Sequence, residues 1–466
     1  MLITILATLI VSLSLGDRGT REYLQPPSLW TAVAAAVYLL VAAGLSIAAT
    51  RSITRRLERG EILSSKIIRR RNILEALYRC WLIAGQGGLI ACGYGQWAAN
   101  TVEHYHIPLL AKFVLMVPFF LTLIIGWALD YRFHLALRTT AADEHKQAAP
   151  YWSRGKHILY NIRHMLLFTI VPISLILLVT DVLEMHVLGS VPASAQSPVY
   201  LLGSLGTALT VFLFAPLLIA RIWRTRRLEP GPLRSDLEDL CGRLKLKYRD
   251  ILVWESEGVI ANAAVMGLIA PVRFILVSDG IVDRLEPHQI RAVFAHEGGH
   301  ITAHHLPYLM MMLVTIMTLC VSAAELIAIL ADLEGPAVIL LMLGLIFACG
   351  GLIFGAVSRQ FERQSDVIGA WASAPPADGS PRITHEGAAI FAGALEQIAI
   401  LNGIDQHKRN WRHGSIASRV RYILSLGSTG GTRRQIDTTV RRIKIAILLG
   451  LLAAAGVVSL QIHLQV

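Results

Sequence analysis

Apolar residues gather along this chain in long unbroken runs separated by short basic stretches, and the runs predict most of its architecture. Runs of spanning length lie at 29–49, 80–99, 107–129, 165–183, 200–222, 306–331, 336–357 and 443–462. Each is long enough to cross a hydrocarbon layer of about 30 Å as a helix. Met1 to Gly16 is apolar but short and lacks a basic lead, so it reads as a marginal first helix or a signal-like segment. Retention is the expectation, since no convincing small-residue cleavage site precedes the next run.

Past Arg227 the pattern changes. Pro230, Gly231 and Pro232 punctuate the chain, and apolar positions 233, 237, 240 and 244 then recur at helical spacing. Asp250 to Trp254, Val259 to Met266 and Arg273 to Ser278 read as strands of a short sheet. Pro287 suits the first turn of a helix that continues through Gln289 and Phe294. The expected fold is mainly α: a polytopic membrane protein of eight or nine spans with an inserted α+β domain carrying a small sheet. The expected segments are a bundle over 1–222, a first domain part over 223–305, a membrane hairpin over 306–357, a second domain part over 358–440 and a last anchor over 441–466.

Composition sharpens this. A chain of 466 residues could form two or three soluble domains, but 54% hydrophobic and 16% charged residues argue for a membrane protein. The net charge of +11 could suggest nucleic acid, yet the basic residues sit beside the apolar runs, where they fix topology and meet anionic lipid. Nucleic acid is therefore not an expected partner. Cys80, Cys92, Cys241, Cys320 and Cys349 form no C-x-x-C, which points to neither a disulfide framework nor a cysteine metal site.

Lys and Arg accumulate in cytoplasmic loops. Arg51, Arg55, Arg56, Arg59, Lys66 and Arg69 to Arg71 place their loop inside, and alternation puts Arg132, Arg138, Lys146, Arg154 and Lys156 inside as well. The same count brings Arg221 to His305 and Arg359 to Arg442 to the cytoplasmic face, with the Asp332–Glu334 turn outside. The clustered Gly85, Gly87, Gly88, Gly93 and Gly95 serve close helix packing. Glu325, deep in a span, is either functional or a pairing residue.

The candidate chemistry centres on His296-Glu297-Gly298-Gly299-His300. Residues four apart share a helix face, so both imidazoles can reach one metal ion, and Glu297 is placed to take a proton from water activated there. Gly298 and Gly299 either leave room for a second helix or allow a bend. A catalytic zinc needs a third protein ligand. A histidine ten positions after the first is excluded because that residue is Leu306. His304 follows His300 in register but lies roughly 12 Å from His296 along a helix, so His304 and His305 are expected to cap the helix near the membrane surface. A better donor is Glu362 or Asp366, which share a face at i, i+4: one carboxylate can bind metal while the other holds the far nitrogen of a ligating histidine. An ordinary charged helix paired with Arg359 and Arg363 is the alternative.

His296-Glu297-x-x-His300, a membrane hairpin and Glu362-x-x-x-Asp366 together resemble the integral-membrane zinc metallopeptidases of the HtpX and CaaX-prenyl-protease type. Asn262-Ala263, and His413-Gly414 followed by Arg419-Val420, are similar to two flanking segments of that family, though Gly414 stands where the family has proline. The resemblance implies one Zn²⁺ held by His296, His300 and Glu362, Glu297 as general base, and Asp366 orienting a ligand. It further implies His413 or Arg419 at the oxyanion, unless the arginine is a structural ion-pair partner, and a substrate-aligning edge at Asn262 and Ala263, unless that strand is interior. The expected function is endopeptidase action on membrane or membrane-proximal polypeptides, in a bacterial inner membrane with the site facing the cytoplasm. Processing of lipidated C-termini, a non-catalytic zinc-binding scaffold and a metal transporter are the rivals. The intact Glu297 opposes the scaffold, and ligands lying outside the spans oppose the transporter.

Overall fold

The computed structural model describes residues 1–16, 24–61, 65–145 and 152–464; Lys146, assigned above to a basic loop, lies outside them. The chain divides into two compact units, Met1–Trp223 and Arg224–Val466. Among the described residues seven helices are long and apolar enough to cross a membrane: Leu29–Leu57, Leu110–Ala136, Arg154–Ser190, Leu202–Ile222, His305–Ala331, Ala337–Ser373 and Arg434–Gln461. Large apolar side chains on them stay uncovered, Leu330 at 78% and Leu352 at 76% exposure. Surfaces this apolar would be costly against water and are neutral against hydrocarbon.

In the first unit Leu82, Phe119, Leu123 and Trp127 form a buried core with Ile5 and Leu9 of the short first helix, Leu2–Leu15. The expected span at 80–99 is not one straight helix. Ser65–Leu89 leads into a wide turn at Ile90–Tyr94 and then Gly95–Val102, because Gly93 has φ +99°. A Cβ at Gly93 would meet the Pro26 carbonyl at 2.7 Å, and the Thr31 hydroxyl donates to the Cys92 carbonyl there at 2.7 Å. The glycine cluster thus packs closely at Gly85, Gly87 and Gly93, while Gly88 faces open space.

The second unit holds a four-stranded sheet in the order β1 (Thr225–Arg227), β2 (Asp250–Trp254), β4 (Phe274–Ser278), β3 (Ala263–Met266). β2 and β4 are parallel and fully buried, as continuous apolar runs require, while β1 and β3 are antiparallel edges. β1 was not foreseen: three polar residues carry no strand signal. β3 begins at Ala263, four residues later than expected at Val259. Ahead of the strand the backbone bonds to side chains: Asn402 accepts from the Ala261 N–H at 3.1 Å and donates to its carbonyl at 2.6 Å, and Ser256 Oγ accepts from the Ile260 N–H at 3.0 Å.

The sheet backs the metal helix, Pro287–Thr302, through Ile290, Phe294 and the buried faces of β2 and β4. Glu286 caps its start in a reciprocal pair with Gln289, and Pro287 takes the first position. Crossing it is the carboxylate helix, Gly355–Ser373, which continues the hairpin's second span past its apolar run. Gly299 is where they meet. A Cβ there would lie 3.2 Å from the Ser365 Cα, whereas one at Gly298 would meet only leucine methyl groups, at 2.9 and 3.0 Å. The glycines therefore provide room, and no bend interrupts the helix. Gly299→Val is expected to lower stability by about 1–3 kcal/mol through overpacking, with Gly298→Ala nearly neutral, both read from thermal unfolding in detergent.

Candidate metal centre

One turn of helix brings His296 Nε2 and His300 Nε2 to 3.3 Å of each other. From the crossing helix Glu362 presents Oε2 3.6 Å from His296 Nε2 and Oε1 3.6 Å from His300 Nε2. One donor atom from each of the three residues lies within 4.8 Å of the others. Two neutral nitrogens and a carboxylate, mostly buried, form the donor set that a catalytic zinc uses, so the residues fit the ion. Burial holds the His300 pKa well below the ordinary value, favouring the neutral ring a ligand must be. At His296 burial acts the same way, but the Asp366 and Glu362 carboxylates together outweigh it and the pKa lies above the ordinary value.

Asp366, one turn beyond Glu362, lies 3.0 Å from His296 Nδ1 and is almost wholly buried. Arg419, from the helix Ile416–Thr429, grips it with a fork: Nε donates to Oδ2 at 2.8 Å and Nη2 to Oδ1 at 2.5 Å. Through these two nitrogens Arg419 is an ion-pair partner of Asp366, and its side chain also lines the cavity that Glu297 faces. His413 Nδ1 lies 2.9 Å from Glu362 Oε1. Its turn is closed by reciprocal backbone hydrogen bonds between Asn410 and Gly414, at 2.9 and 3.0 Å, and Gly414 has φ +76°. Proline cannot adopt that angle, so glycine at this position goes with a different turn.

Glu297 faces a cavity of about 360 Å³ lined by Asn262, Val265, His300, Leu306, Leu309 and His413, among others. Burial pushes its pKa up to about 7. Asn262 and Ala263 lie at the start of β3, an outer strand of the sheet, so the interior-strand alternative fails. Phe391, from the helix His385–Leu401, stacks on the His296 ring at 6.0 Å between centroids.

His305 departs from expectation. It does not cap a helix at the surface: it is 1% exposed, and its Nδ1 lies 2.9 Å from His300 Nδ1. His304 takes the left-handed conformation, φ +53°, which ends the metal helix and redirects the chain, so the helical register used to place these residues stops there. Its neighbour Gln364, 2.8 Å from His305 Nε2, was missed as well. No spacing rule links a residue of a span to one of a distant helix. Glu325 accepts a hydrogen bond from Gln461 at 3.1 Å, a pairing role.

Fold and site together define a membrane-anchored domain of zincin type, with two histidines from one helix and a glutamate from another. Residues 228–382 match the model of Peptidase family M48, a family that is zinc-dependent in general. It is similar to a protein described as "Protease HtpX homolog" from Aeropyrum pernix, 26% identical over 201 residues, covering 41% of this chain and 62% of the relative. A second of that description, from Thermoplasma acidophilum, is 30% identical over 95 residues, covering 19% of this chain and 29% of the relative. The chain thus matches less than two thirds of the length of either. Among solved structures, the crystal structure of S. mikatae Ste24p is similar at TM-score 0.46 and 14% identity, covering 86% of this chain and all of that one.

Proposed function

We propose that the chain is a membrane-embedded zinc endopeptidase that hydrolyses peptide bonds of membrane or membrane-proximal proteins. The observation that carries this reading is the convergence of His296, His300 and Glu362 donor atoms within 4.8 Å of one another, beside a glutamate that faces a cleft. Those three residues would hold Zn²⁺, which supplies Lewis acidity to water and to the scissile carbonyl. Glu297 takes the proton of the attacking water and returns one to the leaving nitrogen. Asp366 fixes the His296 ring, and Arg419 fixes Asp366. His413, lining the cleft, is placed to donate to the carbonyl oxygen as charge develops on it.

The edge of β3 offers Ala263 as a start for main-chain pairing with an extended peptide, while Asn262, whose backbone groups are both held by Ser278, lines the cleft beside it. Leu306 and Leu309, from the first turns of a membrane span, line the same cleft, which favours substrates lying at the bilayer surface. Quality control of membrane proteins is the reading we prefer to trimming of lipidated C-termini. The distribution of Lys and Arg supports a site on the cytoplasmic face of a plasma membrane.

The full chain, purified in detergent with its metal content measured, is expected to carry about one zinc and to cleave an unfolded membrane substrate. Chelation should abolish cleavage and zinc should restore it; cleavage that survives complete metal removal would end the proposal. A second measurement follows from Glu297, whose pKa burial raises to about 7 in the metal-free site. The residue acts as base only when ionised, so kcat/KM should fall as pH drops, with the limb at or below that value because a bound cation favours the carboxylate. An acidic limb that stays at the same pH in Glu297→Gln would remove Glu297 from the role of base.

A further inference from the structure

Resting on that reading of the metal centre, we propose that Asp437, on the C-terminal membrane helix, is a positioning residue for the ligand His300, acting through Gln364 and His305. Four side chains from the metal helix, the first hairpin helix, the carboxylate helix and the terminal helix, Arg434–Leu464, form an unbroken line. Gln364 Nε2 donates to Asp437 Oδ1 at 2.6 Å, Gln364 Oε1 lies 2.8 Å from His305 Nε2, and His305 Nδ1 lies 2.9 Å from His300 Nδ1. Gln364 is 7% and His305 1% exposed, so the inner bonds of the line are made within the protein, while the Asp437 carboxylate at its outer end is 41% exposed.

The line has a direction. A glutamine side chain has nearly the same shape with its oxygen and nitrogen exchanged, and only its neighbours choose between the two. Asp437, an acceptor when ionised, selects the amide nitrogen and leaves the oxygen toward His305. That oxygen requires the proton on His305 Nε2, which leaves Nδ1 with a lone pair to accept from His300 Nδ1–H. The proton on His300 is thereby held away from Nε2, the nitrogen that faces His296 and Glu362. The Ser365 hydroxyl, 3.4 Å from His305 Nδ1, can only add a second donor to the same acceptor. Phe361 holds the His305 ring in plane, stacked at 4.3 Å and 11°. The terminal helix also reaches the end of the metal helix directly, Lys444 donating to the Ala303 carbonyl. The last membrane anchor is thus built into the metal centre.

The test uses the full chain in detergent and reads zinc affinity by competition with a chromophoric chelator, together with the absorption spectrum of bound Co²⁺. Asp437→Ala, which frees the Gln364 amide to turn, is expected to weaken zinc binding about tenfold or more and to perturb the Co²⁺ bands. Adding Gln364→Glu to that variant should restore affinity to within about threefold, because a carboxylate can only accept from His305 and needs no Asp437 to orient it. A packing role for Asp437 predicts no such rescue. Unchanged affinity in Asp437→Ala, or a double variant no tighter than the single one, overturns the proposal. If Asp437→Ala does not fold, His305→Phe decides alone: it keeps the stacked ring and removes both hydrogen bonds, and zinc bound as tightly as by wild type overturns the line. Zinc held by wild type and lost in Glu362→Ala sustains the underlying metal site whatever Asp437 does, and no zinc binding by wild type ends both.

Discussion

Glu297→Gln is expected to reduce peptide hydrolysis by about a thousandfold or more while zinc content stays at the wild-type level. The glutamine matches the glutamate in size and keeps a polar group at the cleft, so neither the crossing of the two helices nor the ligand set is disturbed. What it loses is basicity: an amide cannot take a proton from water, and positioned general bases contribute about 10²–10⁴ in rate. Single-turnover cleavage of a membrane substrate, with metal measured in the same preparations, gives the answer. Equal rates for the two proteins would rule out zinc peptidase chemistry at this site, and zinc without activity in either would favour the scaffold.

Arg419→Met should lower the stability of the folded domain by about 3–5 kcal/mol, the cost of leaving a buried charge without its partner. Asp366 is 1% exposed, and its two oxygens each accept from the guanidinium. Removing the fork leaves a carboxylate that must either stay charged without compensation or take up a proton, and in the latter state its grip on His296 Nδ1 weakens. The expected shift in thermal midpoint is about 10 °C for a domain of this size. Zinc affinity should fall with it. Arg419→Lys should recover only part of the loss, since an ammonium cannot make two parallel hydrogen bonds. An unchanged midpoint for Arg419→Met would mean that Asp366 is held by something other than this pair.

The metal motif and the carboxylate pattern were legible because each is a local event: His296 with His300, and Glu362 with Asp366, are one helical turn apart, and the 3.6-residue period is written into the sequence. Membrane spans were legible for a similar reason, since a helix surrounded by hydrocarbon must be apolar along its whole length. The break at Gly93 escaped because it depends on the Pro26 carbonyl, far away in the chain. The same holds for the late start of β3, where the backbone just ahead of the strand bonds to Asn402, far away in the chain.

By itself, then, the sequence determined that the chain spans a membrane, where most of its spanning helices lie, and which short segments could offer metal ligands. Tertiary structure alone decided that Glu362 crosses to the histidines, that Arg419 pairs with Asp366 and that His305 turns inward behind His300. The physical reason is one of range. Backbone periodicity and hydrophobic burial act on neighbours in sequence, whereas a hydrogen-bonded line from His300 to Asp437 joins residues 137 positions apart, and its partners exist only once four helices have packed.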